Sequence, residues 1–137
     1  MGLILDSSVL IAGERGSHGM REILTRVRAM HGEADAALSV VTIVELTHGI
    51  YRAKTDSQRE RRRAFSQELR RGMVVYPVTL EIAEMAGRIE GEQASRGVNI
   101  AFEDLLIGAT ALSLGYSVLT SNVRHFEMTP GLDVVRL

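Results

Sequence analysis

The sequence predicts an α/β fold, a mostly parallel sheet covered by helices on both faces. Three observations lead there. Short apolar runs of strand length recur along the chain, and segments of helical periodicity stand between most of them. The length of 137 residues is that of one compact domain, so 1–137 is read as a single domain. In such a sheet ligands gather beyond the carboxyl ends of the strands, which is where chemistry is to be sought.

Leu3 to Leu5 is the first strand and ends at Asp6. Ser7 and Ser8 then start a helix that continues into Val9, Leu10 and Ile11. Met20, Ile23, Leu24, Val27 and Met30 recur at helical spacing, which predicts an amphipathic helix from about 19 to 31. Ala36 to Val41 is the second strand. Thr42 opens a helix carrying Ile43, Leu46, Ile50 and Tyr51, and the arginine-rich stretch from about 56 to 71 continues as a polar helix. Met73 to Tyr76, closed by Pro77, is the third strand. Thr79 caps a long helix with Ile82, Met85, Ala86 and Ile89 facing inward, stopping near Gly97. Phe102 to Leu114 is nearly all apolar after its first turn and predicts a buried helix ended by Gly115. Val118 to Thr120 and Val134 to Leu137 complete the strands.

The 45% of hydrophobic and 24% of charged residues suit a folded globular chain. There is no cysteine, which excludes disulfides, thiolate chemistry and iron–sulfur ligation and fits a reducing, cytoplasmic setting. The apolar start MGLILDSSVLIA lacks a basic leading region and carries Asp6, so no secretory signal is expected. No apolar run approaches the roughly 20 residues of a membrane helix, so no membrane partner is expected. Net charge is −1, yet basic residues crowd one segment, from Arg52 to Arg71 and densest at Arg61, Arg62 and Arg63. A solvated helix face and a phosphate-contacting patch both account for it.

Three acids fall where the strands end: Asp6 after the first, Glu45 after the second, and Asp104 at the start of the buried helix. Asn122 lies just past the fourth strand. Clustered carboxylates repel one another unless a cation holds them, and oxygen ligands suit Mg²⁺ or Mn²⁺. Such an ion can orient and activate a phosphodiester for hydrolysis. Each acid also has a plainer reading. Asp6 can cap the helix after it, Thr42-x-x-Glu45 matches a capping box, and Asp104 can complement a helix dipole. Glu103 would point about 100° away from Asp104, toward solvent or an outer position. His18, His31, His48 and His125 lie in separate segments without a close metal spacing and are read as surface side chains. No GxSxG, P-loop or GxGxxG motif occurs.

Together these segments resemble the PIN-domain ribonucleases, and most closely the VapC-type toxins of bacterial toxin–antitoxin pairs. The resemblance covers essentially the whole chain. Leu5-Asp6-Ser7-Ser8-Val9-Leu10-Ile11 looks like the family's first motif, Thr42-Ile43-Val44-Glu45-Leu46 its second, and Asp104 to Ala111 its third. Leu119 to Phe126 is similar to the fourth but has Asn122 where aspartate is frequent. Asparagine offers a carbonyl oxygen without charge, which favours one ion over two.

The resemblance implies a three-layer α/β/α sandwich and Mg²⁺- or Mn²⁺-dependent endoribonuclease activity. Asp6, Glu45 and Asp104 would hold the metal, with Asn122 as a neutral fourth member of the catalytic group. It further implies substrate contacts from Ser7, Thr120, Arg61, Arg62 and Arg63, a homodimer, and inhibition by a VapB-like antitoxin laid over the site. A degenerate PIN-like binding module and an Asp-nucleophile phosphotransfer domain are the rivals. Against the latter, a dehalogenase-like enzyme would carry an acid where Ser8 stands, and a receiver domain needs a lysine after a late strand. The only lysine is Lys54.

Overall fold

The computed structural model describes residues 1–16 and 19–137. His18 lies outside the described residues. Five strands form one sheet: β1 (Gly2–Leu5), β2 (Asp35–Ser39), β3 (Val74–Tyr76), β4 (Ser117–Thr120) and β5 (Val134–Arg136). Their order is β3-β2-β1-β4-β5, and every pairing is parallel. Seven helices accompany them among the described residues: α1 (Ser7–Arg15), α2 (Met20–His31), α3 (Val40–Tyr51), α4 (Asp56–Gly72), α5 (Leu80–Ala94), α6 (Phe102–Leu114) and α7 (Val123–Glu127).

All four residues of the central strand β1 are buried, and successive side chains serve opposite faces. Leu3 and Leu5 pack with Val9, Leu10, Ile23, Val27, Phe65 and Leu69, from α1, α2 and α4. Ile4 packs with Ile107, Ala111 and Phe126, from α6 and α7. Helix α5 closes the outside of α6, with Ile82, Ala86 and Ile89 against Leu105 and Ala109. The outcome is the expected three-layer sandwich. Helix α6 ends at Gly115, whose φ of +69° is a conformation that favours glycine, and its N–H returns to the Leu112 carbonyl at 3.2 Å. Among the described residues no helix is long and apolar enough to cross a membrane.

Two local expectations give way. The second strand stops at Ser39 rather than Val41, and α3 begins at Val40. The cap is Ser39, whose Oγ accepts the Val41 N–H at 3.1 Å, so Thr42 lies inside the helix and the Thr42–Glu45 capping box is not formed. The Val40-Val41 pair looks like strand, but one hydrogen bond at Ser39 turns the chain before it. Helix α7, only five residues long, has no periodicity to announce it. At the start of the buried helix, Phe102 remains 64% exposed.

Candidate active site

The strand order reverses between β1 and β4, so their carboxyl ends flank the crevice where an open parallel sheet receives ligands. Asp6 follows β1 directly, and its N–H donates to the Leu119 carbonyl of β4 at 2.9 Å. Its carboxylate does not cap α1. Instead Oδ2 accepts from Ser8 Oγ at 2.7 Å and from Thr120 Oγ1 at 2.9 Å, and the residue is 3% exposed. Both hydroxyls accept in turn from the β4–α7 turn, Ser8 from the Ser121 N–H at 3.1 Å and Thr120 from the Asn122 N–H at 2.8 Å. Ser8 and Thr120 thus link the backbone of the β4–α7 turn to the Asp6 carboxylate.

Glu45 stands in the second turn of α3, and its Oε2 accepts from Ser7 Oγ at 2.8 Å. Burial pushes its carboxyl above the ordinary carboxylate range. The charges of Asp6, Asp104 and Glu103 push the same way, and the Ser7 hydrogen bond opposes them. Asp104 occupies the first turn of α6 with its Oδ2 3.4 Å from His125 Nδ1, an ion pair only when the imidazole is protonated. Burial raises its carboxyl as well, followed by the Asp6 charge, while His125 works against the rise. The Asp6 charge thus bears on both Glu45 and Asp104. Glu103 is exposed, as expected, although its charge reaches both neighbours. Among the described residues no three acidic or imidazole groups are gathered so as to hold one ion as they stand.

The other expected site residues divide. Asn122 is brought to the same edge, but through its backbone N–H, and the residue is exposed at the start of α7. Ser7 and Thr120, expected to touch substrate, are 6% and 0% exposed with their hydroxyls turned onto carboxylates. In these contacts Ser7 positions Glu45 and Thr120 positions Asp6. Arg61 Nε donates to Glu14 Oε1 at 3.0 Å, Arg62 Nη1 to the Gly49 carbonyl at 2.6 Å, and Arg63 Nη1 to Glu60 Oε2 at 3.1 Å. Arg61 and Arg62 are thereby tied to neighbouring helices, while Arg63 makes an exposed pair within α4.

Two participants were not legible. Ser8 reads as a helix starter, and only the meeting of β1 with β4 turns it toward Asp6. His125 reads as a surface side chain and is 59% exposed, yet α7 brings it to Asp104. His31 and His48 lie elsewhere, His31 against the Arg136 carbonyl and His48 in solvent.

The PIN domain family model matches residues 3–131. Ribonuclease VapC1 of Rickettsia felis is 33% identical over 135 residues, which span 98% of this chain and 96% of that protein. Among solved structures, DNA-bound VapBC from Salmonella typhimurium superposes with a TM-score of 0.83 at 24% identity, over 99% of this chain and 98% of that one. VapBC-5 from Mycobacterium tuberculosis, a member of the VapBC family of toxin–antitoxin systems, gives 0.74 at 27% identity, over 99% and 96%.

Proposed function

The chain belongs to the PIN-domain family, among the VapC ribonucleases, and from that premise we propose that it is the endoribonuclease toxin of a VapBC-type pair. One observation supports the reading: at the switch point of the sheet the Asp6 charge bears on both Glu45 and Asp104, residues far apart in sequence.

The donor chemistry fits a hard divalent cation. Asp6 and Glu45 each have one carboxylate oxygen engaged by hydroxyls, and Asp104 has one beside His125. Asp6, Glu45 and Asp104 are the residues we assign to holding Mg²⁺ or Mn²⁺, and the cation would offset the repulsion among their charges. When bound, such an ion supplies Lewis acidity for phosphodiester hydrolysis. The protein's own part is orientation and proton handling. Ser8 and Thr120 fix Asp6, Ser7 fixes Glu45, and Glu45 Oε1 accepts a proton from the attacking water. With Asn122 neutral and exposed, one ion rather than two is assigned.

The partners follow from the same reading. RNA is the substrate and a VapB-like antitoxin the inhibitor, as the VapBC relatives support. Val40, Val44 and Tyr51 are 40%, 68% and 73% exposed along one strip of α3, an apolar face suited to a second copy of the chain and hence a homodimer. Residues 1–137 act as one nuclease domain in the cytoplasm. The purified chain is expected to cut RNA with Mg²⁺ or Mn²⁺ and to stop on addition of EDTA. Cleavage that survives EDTA, or is untouched by Asp104→Asn, rejects the metal mechanism. Absence of cleavage under all conditions supports a degenerate binding module.

A further inference from the structure

A crevice between α1, α3 and α4 opens beside Glu45. Arg15, Arg52 and Arg62 line it together with Glu14, Glu45 and the buried ring of Phe65. Its charges are unequal. Glu14, 8% exposed, is already neutralised by Arg61 at 3.0 Å. Arg62 uses one N–H on the Gly49 carbonyl, and neither it nor Arg15 nor Arg52 has a carboxylate partner among the described residues. Arg59 and Arg63, by contrast, are paired within α4 to Asp56 and Glu60.

Arg15 closes the last turn of α1 and Arg52 is the C-cap of α3, so helix-dipole compensation accounts for one cation at each helix end. It does not account for three arginines lining one hollow. Resting on the nuclease reading above, we propose that this crevice is a phosphate subsite in which Arg15, Arg52 and Arg62 hold a phosphate of the bound RNA strand flanking the one that is cut. Guanidinium forks match phosphate oxygens in geometry and charge. Glu45 is the wall that the crevice shares with the acidic cluster, so a strand lying along it passes from the cations directly onto the carboxylates. The RNA-holding cations are thereby moved from Arg61 and Arg63, whose charges are matched within the fold, to residues that lie up to 47 positions apart in sequence.

The test measures binding of a fluorescein-labelled single-stranded RNA by anisotropy at several salt concentrations, using the full chain with Asp104→Asn and Mg²⁺ present. Arg15→Gln with Arg52→Gln is expected to weaken binding about tenfold and to lower the slope of log affinity against log salt by about 0.7, for one single-strand phosphate contact. Arg88→Gln, on the exposed side of α5, should change neither. Arg52→Lys should keep the salt slope while losing affinity, which separates phosphate recognition from a fold defect. Unchanged affinity and slope in the double variant overturn the subsite. So does loss of antitoxin binding with RNA binding intact, which would make the crevice a protein contact. Cleavage is read on the same samples: RNA cut despite Asp104→Asn counts against the catalytic reading alone, because the arginine effect is measured independently of it.

Discussion

Thr120 donates its hydroxyl proton to Oδ2 of Asp6 across 2.9 Å, joining the ends of two neighbouring parallel strands through a side chain that is fully buried. A threonine hydroxyl in a strand interior would ordinarily cost stability unless partnered. Here the partner is an acid that needs donors. Thr120→Val keeps the shape and removes the proton, leaving a buried carboxylate short of one bond. A loss of about 1–3 kcal/mol in unfolding free energy is expected, with a fall in RNA cleavage. Thr120→Ser should restore both, and denaturant unfolding alongside a cleavage assay checks it.

The carboxyls of Glu45 and Asp104 carry a pH signature. Both lie above their ordinary values in the folded protein, chiefly through burial, so the folded state takes up their protons more readily than the unfolded chain. Their contribution to stability is complete below the ordinary values and is lost as pH rises through the raised ones. In EDTA, Asp104→Asn should therefore raise the melting temperature near neutrality and have little effect well below pH 3.8, the ordinary value for this acid. An equal effect in both pH arms contradicts the assignment.

The Ser7 hydrogen bond is the influence that holds Glu45 down against burial and its acidic neighbours. Ser7→Ala should raise the Glu45 carboxyl further. If Glu45 is the proton acceptor, the acid limb of the kcat/KM profile moves to higher pH while the plateau changes less. A limb that stays in place assigns that titration to another group.

Ser39 and Thr42 should respond oppositely. Ser39→Ala removes the α3 cap and is expected to cost about 1 kcal/mol. Thr42 is fully buried, and its Oγ1 has no partner among the described residues, so Thr42→Val should be neutral or stabilising. Thermal melts of the two variants decide whether the cap lies where the backbone puts it.

Most of the fold was legible because parallel α/β structure writes itself in two periods. The apolar runs at Leu3–Leu5 and Val118–Thr120 have no polar alternation, as strands buried on both faces should not, and α6 was bounded correctly by its apolar run and Gly115. The site was legible as positions rather than as bonds. Asp6, Glu45 and Asp104 stand at strand and helix ends, and helix-capping rules describe those ends equally well. What the sequence could not display is which oxygen meets which proton. Asp6 takes its donors from Ser8 beside it and Thr120 on β4, and Glu45 takes its donor from Ser7 rather than from a capping box. Adjacency along α4 drew attention to Arg61, Arg62 and Arg63, whereas the crevice beside Glu45 is lined by Arg15, Arg52 and Arg62 from separate parts of the chain.

The central strand has a consequence for when the protein becomes competent. β1 pairs on one side with residues 35–37 and on the other with residues 117–119. A chain cut before the second of these carries all three acids, yet nothing from β4 to seat the first of them. Closing a loop of that length is a late event in assembly. Nuclease competence is thus expected as a property of the finished sheet, so that an incomplete copy in the cell that makes it remains inert until its fourth strand has docked.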